Sequence, residues 1–105
     1  RRKQWIFAGK KPSGQVIIDA GAARALVKNG RSLLPAGIVE INGRFQRGDT
    51  ISILNSDGAE LARGITRYNS DDLHHIRGLH STEFSQKLGY DYGSAAIHRN
   101  DMILI

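Results

Sequence analysis

Residues 21–38 read GAARALVKNGRSLLPAGI, and the organisation of the chain follows from this stretch. Asp19 stands just before it with a short side-chain oxygen suited to starting a helix, and Gly30 offers the left-handed backbone that stops one. Between them Ala22, Ala23, Leu26 and Val27 share one stripe at about 100° per residue, with Arg24 and Lys28 opposite. The spacing predicts a short amphipathic helix. RSLLPAGI then reads as a loop punctuated by Pro35 and Gly37 that leads into a strand at Ile38-Val39-Glu40-Ile41. On the other side, Gln15-Val16-Ile17-Ile18 is a short apolar run after the turn Pro12-Ser13-Gly14, as in a buried strand.

The same punctuation runs to the end of the chain. Asn42-Gly43 is a turn signal, Thr50-Ile51-Ser52-Ile53-Leu54 alternates as a half-buried strand, and Asn55-Ser56-Asp57-Gly58 turns into Glu60 through Tyr68. Two short helices are expected next. One is capped by Ser70 and stopped by Gly78, and the other is capped by Ser81 and stopped by Gly89, with Phe84 and Leu88 on one side. Ala95-Ala96-Ile97, a turn at His98-Arg99-Asn100-Asp101, and Met102-Ile103-Leu104-Ile105 close the sequence. Short strands joined by glycine turns, with helices in the connections, predict a mainly β fold built as a small barrel or pseudo-barrel.

The chain has 105 residues, enough for one compact domain, and 40% of them are hydrophobic. It has no cysteine, which removes a disulfide scaffold, a thiolate zinc site and a thiol nucleophile together. No apolar run approaches the roughly 18 residues of a spanning helix. Trp5-Ile6-Phe7-Ala8 after the basic start is too short for a signal-peptide core. A soluble, intracellular protein is expected. The net charge of +5 sits in residues 1–11, where Arg1, Arg2, Lys3, Lys10 and Lys11 meet no acid. Elsewhere ten bases balance ten acids, so the folded body is formally neutral. Because the chain starts with Arg, residues 1–11 read as a basic linker from an upstream domain, and residues 12–105 as the domain itself.

Catalytic constellations are missing from the sequence. His74, His75 and His80 do not have zinc-ligand spacing, and with Asp71 and Asp72 they read as a solvated helix face. No G-x-S-x-G places a serine nucleophile. Gly9 through Gly14 matches half of a phosphate loop, but Gln15-Val16 replaces the Lys-Ser/Thr pair and a strand follows. In His98-Arg99-Asn100-Asp101, Asn stands where a kinase catalytic loop has its Asp. Arg47-Gly48-Asp49 reads as a turn into the next strand. The chain alone is not expected to be an enzyme, and no metal or cofactor is expected in it.

Arg24 and Lys28, one turn apart, and Arg31 just past the helix stop form a basic cluster beside a loop in which Gly30, Pro35 and Gly37 permit close backbone approach. Two readings stay open. The cluster and the small residues near it suit the phosphates of an RNA groove. Alternatively, Leu33, Leu34 and Pro35 plug the barrel while the bases are merely solvated. Tyr90 and Tyr92 read better as closing a barrel end than as stacking on bases.

The string from Asp19 to Ile38, the Arg47-Gly48-Asp49 turn and Ala62-Arg63-Gly64-Ile65 together resemble the PUA domain, a small pseudo-barrel of RNA-modifying enzymes. A narrower likeness rests on further segments. Lys3-Gln4-Trp5-Ile6, Ser32-Leu33-Leu34-Pro35-Ala36-Gly37, Ala62-Arg63-Gly64 with Tyr68, Leu88-Gly89-Tyr90 and His98-Arg99-Asn100-Asp101 resemble the C-terminal domain of the bacterial glutamate 5-kinase family. The resemblance implies a PUA-like pseudo-barrel of short mixed strands. It also implies a non-catalytic, regulatory or architectural role beside an upstream amino-acid kinase domain, with a homo-oligomer possible in the parent. That parent would use ATP and magnesium to phosphorylate L-glutamate at the start of proline synthesis, and its active and feedback sites would lie in the kinase domain. Related domains meet structured RNA with the first helix and the loop after it. Here those positions are Ala22, Arg24, Ala25, Lys28, Gly30 and Arg31.

Overall fold

The structure, a computed structural model, describes residues 11–105. The expected basic linker at residues 1–11 therefore lies outside the described residues, save Lys11. Five strands carry the fold: β1 (Gly14–Ile18), β2 (Ile38–Asn42), β3 (Thr50–Leu54), β4 (Glu60–Ile65) and β5 (Met102–Leu104). Three short α-helices lie in the connections: α1 (Ala20–Asn29), α2 (Ser70–Ile76) and α3 (Phe84–Leu88). The strands form one mixed sheet in the order β2-β1-β3-β4-β5. β1 and β3 are parallel, and the other neighbouring pairs are antiparallel.

The mainly β architecture agrees with the sequence, but the sheet is open rather than a closed barrel. Its edges, β2 and β5, are not paired with each other among the described residues. Asn42-Gly43 does turn, with Gly43 at φ 87°. It does not make a hairpin, because β1 lies between β2 and β3. The loop from Gly43 sends Phe45 into the core before Gln46–Asp49 turns the chain into β3. Gly48 at φ 95° and the Asp49 carboxylate, which accepts the Gln46 N–H at 2.8 Å, fix that turn.

One face of the sheet supplies the core. Val16 lies opposite both Ile41 and Ile53, and Ile53 opposite Ala62, so apolar side chains form a row across four strands. Leu26, Leu33, Phe45, Tyr68, Leu73, Ile76, Phe84 and Ile97 pack onto this layer in one continuous cluster. Gly64 has its place for lack of a side chain, since a Cβ there would lie 2.5 Å from Ile97 Cγ2. Among the described residues no buried side-chain nitrogen or oxygen lacks a hydrogen-bond partner. The domain thus closes its core within its own chain.

Several sequence expectations need correction. β3 is buried on both faces at Thr50 and Ser52, because it is the middle strand of five; the Ser52 hydroxyl donates to Glu60 at 2.8 Å. Val27 stays exposed at the margin of the α1 stripe, whereas Leu26 is buried and Ala22 and Ala23 pack on the core. α2 is capped by Asn69, whose Oδ1 accepts the Asp72 N–H at 2.7 Å, and ends before Arg77. Ser70 faces inward, and its hydroxyl accepts the buried Phe45 N–H. Ser81 opens a 3₁₀ turn that runs into α3, and Gly89 at φ 86° ends α3 as expected. Asp72 is buried rather than solvated. Leu34 does not plug the core: it is half exposed, while its neighbours Leu33 and Pro35 are buried.

Candidate functional site

α1 begins and ends on its own side chains and backbone. Asp19 Oδ1 accepts the Ala22 N–H at 2.7 Å, and Gly30, at φ 60° and ψ 30°, closes the other end. The Arg31 N–H then donates back to the Ala25 carbonyl at 3.0 Å, which turns the chain away from the helix axis. The loop returns alongside α1 because two contacts hold it there. The Asp19 N–H donates to the Gly37 carbonyl at 3.0 Å, and Gly37 itself has no room for a Cβ, which would sit 2.5 Å from that of Ala22. On its far side the loop is pinned by an antiparallel bridge between Leu33 and Ile97 and by the Arg99 N–H donating to Ser32 Oγ at 2.9 Å.

These contacts leave a groove of about 780 Å³ along one face of α1. Ala22, Ala25 and Ala36 give it a floor of small side chains, and Leu34 stands in its wall. Asp19 marks one end, Arg31 the other, and His98 and Arg99 close the side. His98 Nδ1 accepts the Asn100 N–H at 3.1 Å, so its neutral ring carries the proton on Nε2.

Of the six residues singled out from the sequence, Ala22, Ala25 and Arg31 line this groove. Arg24 and Lys28 are exposed on the adjoining face of α1, and Gly30 borders a smaller hollow with Arg31 and Asn100. Among the described residues Arg24, Lys28 and Arg31 have no ion-pair partner. Residue-level reading placed Gly37 beside the basic cluster but missed Ser32, Leu34 and His98 as parts of one site. The segments that hold them are conspicuous in the sequence, but the Leu33–Ile97 bridge that joins them spans more than sixty residues.

The tyrosines lie elsewhere and face one another. Tyr68 meets Phe84 edge-on at 5.9 Å and Tyr92 at 5.5 Å, and Tyr92 meets Tyr90 at 5.1 Å. Tyr90 Oη donates to Asp72 Oδ1 at 2.5 Å, and that bond, ahead of burial, pushes the Tyr90 phenol up to about 12. Burial raises the Tyr68 phenol as well. On the sheet, the Arg63 guanidinium donates to Glu60 at 2.6 Å, which holds the Glu60 carboxyl below and the Arg63 guanidinium above their ordinary values. His74, His75 and His80 do not gather: no group of three metal-ligating side chains occurs among the described residues. No helix among them is long and apolar enough to cross a membrane.

Comparison with known proteins places this geometry. The family model for the PUA domain matches residues 14–88. Glutamate 5-kinase of Shewanella sediminis is 52% identical over 104 residues, which are 99% of this chain and 28% of that protein. Glutamate 5-kinase of Brucella anthropi is 52% identical over 102 residues, covering 97% of this chain and 27% of its own length. The chain thus spans little more than a quarter of these relatives, and it matches their C-terminal part. Among solved structures, a PUA domain from Aeropyrum pernix K1 in complex with tartrate aligns with TM-score 0.60 and 28% identity, over 82% of this chain and 41% of that one. A chain of an H/ACA ribonucleoprotein bound to a substrate RNA aligns with TM-score 0.51 and 27% identity, over 57% of this chain and 19% of its own. Family model, fold and relatives matched over nearly the whole of this chain agree, and the chain belongs to the PUA domain family.

Proposed function

We propose that this chain is the C-terminal accessory domain of a glutamate 5-kinase, with a regulatory or architectural role and no catalytic step of its own. One observation carries the reading: about half of all positions are identical to glutamate 5-kinases over 99% of the chain. The site geometry supports it. The groove holds one histidine, one carboxylate and two guanidiniums, with no nucleophile paired to a base. It also lacks a phosphate-cradling loop followed by a helix. These residues do not fit ATP or magnesium, so both belong to the kinase portion, where L-glutamate would be phosphorylated in the cytoplasm. The domain's own partners are then that kinase portion and, through it, the other protomers of a homo-oligomer.

Deletion of the domain from the full-length protein tests the proposal. Subunit mass, ATP-dependent phosphorylation of L-glutamate and feedback inhibition by proline are measured with and without it. At least one of the three is expected to change, and identical values for all three would sink the proposal.

A second reading assigns RNA to the α1 face, at Ala22, Arg24, Ala25, Lys28, Gly30 and Arg31. It is supported by three bases without an ion-pair partner among the described residues and by the likeness to a chain of a ribonucleoprotein bound to a substrate RNA. Asp19 at the groove end and the formally neutral body of the domain weigh against it.

A further inference from the structure

We infer that the groove between α1 and the loop of residues 31–37 seats an extended, small-residue segment of polypeptide, with a carboxylate at one end and a cation or amide donor at the other, supplied by the kinase portion of the same protein. The inference rests on the reading under Proposed function. Its first support is the floor. Ala22, Ala25 and Ala36 project little, so another backbone can descend to van der Waals contact along the helix. Leu34, half exposed in the wall, offers an apolar surface that water covers in the free domain.

The second support is the arrangement of charge. Asp19 and Arg31 sit at opposite ends of a ten-residue helix, which is about 15 Å long. Extended chain advances about 3.3 Å per residue, so about five residues separate the positions that face the two charges. A polypeptide can carry a carboxylate against Arg31 and a cation or amide donor against Asp19, with Ala-, Gly- or Ser-sized residues between them. A nucleic-acid strand carries negative charge at every phosphate and meets Asp19 with repulsion. Moreover, Arg24 and Lys28 do not line the groove, so two of the three cations of the basic cluster are turned to its neighbouring face. Arg31 has no ion-pair partner among the described residues, as a docking residue should not in the absence of its partner. Almost three quarters of the length of the glutamate 5-kinase relatives lies outside the region matched by this chain, and a tethered segment reaches the groove at high effective concentration.

Hydrogen exchange of the full-length protein against the 105-residue chain tests the inference. Peptides covering residues 19–37 and 95–99 are followed by mass spectrometry in both. They are expected to exchange roughly tenfold or more slowly in the full-length protein. Arg31→Glu, and Asp19→Asn, which keeps the helix cap, should each restore fast exchange there, whereas Arg24→Glu should not. Equal rates in the two proteins overturn the inference, and so does protection indifferent to Arg31→Glu and Asp19→Asn. Protection that arises only when bulk transfer RNA is added also overturns it, in favour of RNA. ATP-dependent phosphorylation of L-glutamate by the same full-length sample reports separately on the kinase reading: its absence overturns that reading, whereas loss of groove protection in an active kinase overturns the docking segment alone.

Discussion

The aromatic seam around Tyr68 and the groove along α1 are both made of residues that bind things, yet they differ in how their polar groups end. In the seam, Tyr68 Oη donates to the Gly93 carbonyl at 2.6 Å and accepts the Tyr92 N–H at 2.9 Å. Tyr90 ends on Asp72, and the Arg47 guanidinium lies 3.8 Å over the Tyr92 ring. Each group is answered from within the chain. Along α1 and its groove, Arg24, Lys28 and Arg31 have no ion-pair partner among the described residues, and Leu34 stands half exposed. Tyrosine beside arginine is a common nucleic-acid composition, and here it is the part already satisfied. Residue type does not separate a strut from a binding surface; accounting for partners does.

If the seam is structural, the largest effect of any change proposed here should come from Phe84→Ala. It removes a fully buried ring packed edge-on against Tyr68, and a loss of about 3–5 kcal/mol in unfolding free energy is expected by urea denaturation. A loss below 1 kcal/mol, on the order of a surface change, would break the comparison from the seam side. Gly37→Ala attacks it from the groove side. The new Cβ would meet that of Ala22, so about 1–3 kcal/mol is expected, and α1 should shift in the amide spectrum. A neutral result would make the groove wall soft, and its shape could not then select a partner.

Tyr90→Phe sharpens the contrast by leaving the buried Asp72 carboxylate without this donor, and a loss of stability smaller than that of Phe84→Ala is expected by urea denaturation. The pH dependence gives this change a signature. An unfolded tyrosine ionises near pH 10, and Asp72 pushes the folded Tyr90 phenol up to about 12. The folded state therefore favours the protonated phenol. That contribution is complete below about pH 10 and is lost as pH rises through about 12. The stability difference between wild type and Tyr90→Phe should shrink over that interval, and a constant difference would remove Tyr90–Asp72 from the account.

Much of this was legible in the sequence. β1, α1 with both its caps, β2, β3 and the Gly89 stop all fall where local pattern places them, because each is decided by residues close in sequence. What escaped depends on topology. The insertion of β1 between β2 and β3 buries Thr50 and Ser52, and no periodicity inside Thr50–Leu54 announces that. Asp72 reads as a solvated carboxylate until Tyr90 is brought over it. The groove was half legible: helix pattern finds Ala22 and Ala25, while Leu34 and His98 become neighbours only through the Leu33–Ile97 bridge.

The smallest stability effect is expected from Arg24→Glu with Lys28→Glu, and for that reason it is the most informative about function. Both side chains are exposed without an ion-pair partner among the described residues, so their reversal breaks no ion pair there. Lys28 lies in the last turn of α1, and losing its charge there costs only a few tenths of a kcal/mol, so the pair should stay within about 1 kcal/mol of wild type. Affinity for bulk transfer RNA across a salt series is measured on the same proteins. A duplex contact contributes about −0.9 to the log–log slope for each phosphate neutralised. If the α1 charges are solvated and the groove takes a polypeptide, the two proteins should show the same weak affinity and the same slope. A fall in affinity with a slope shallower by about two, at unchanged stability, would mean that these two cations touch phosphates. The unpaired bases of α1 would then themselves be the binding surface, and the groove only their border.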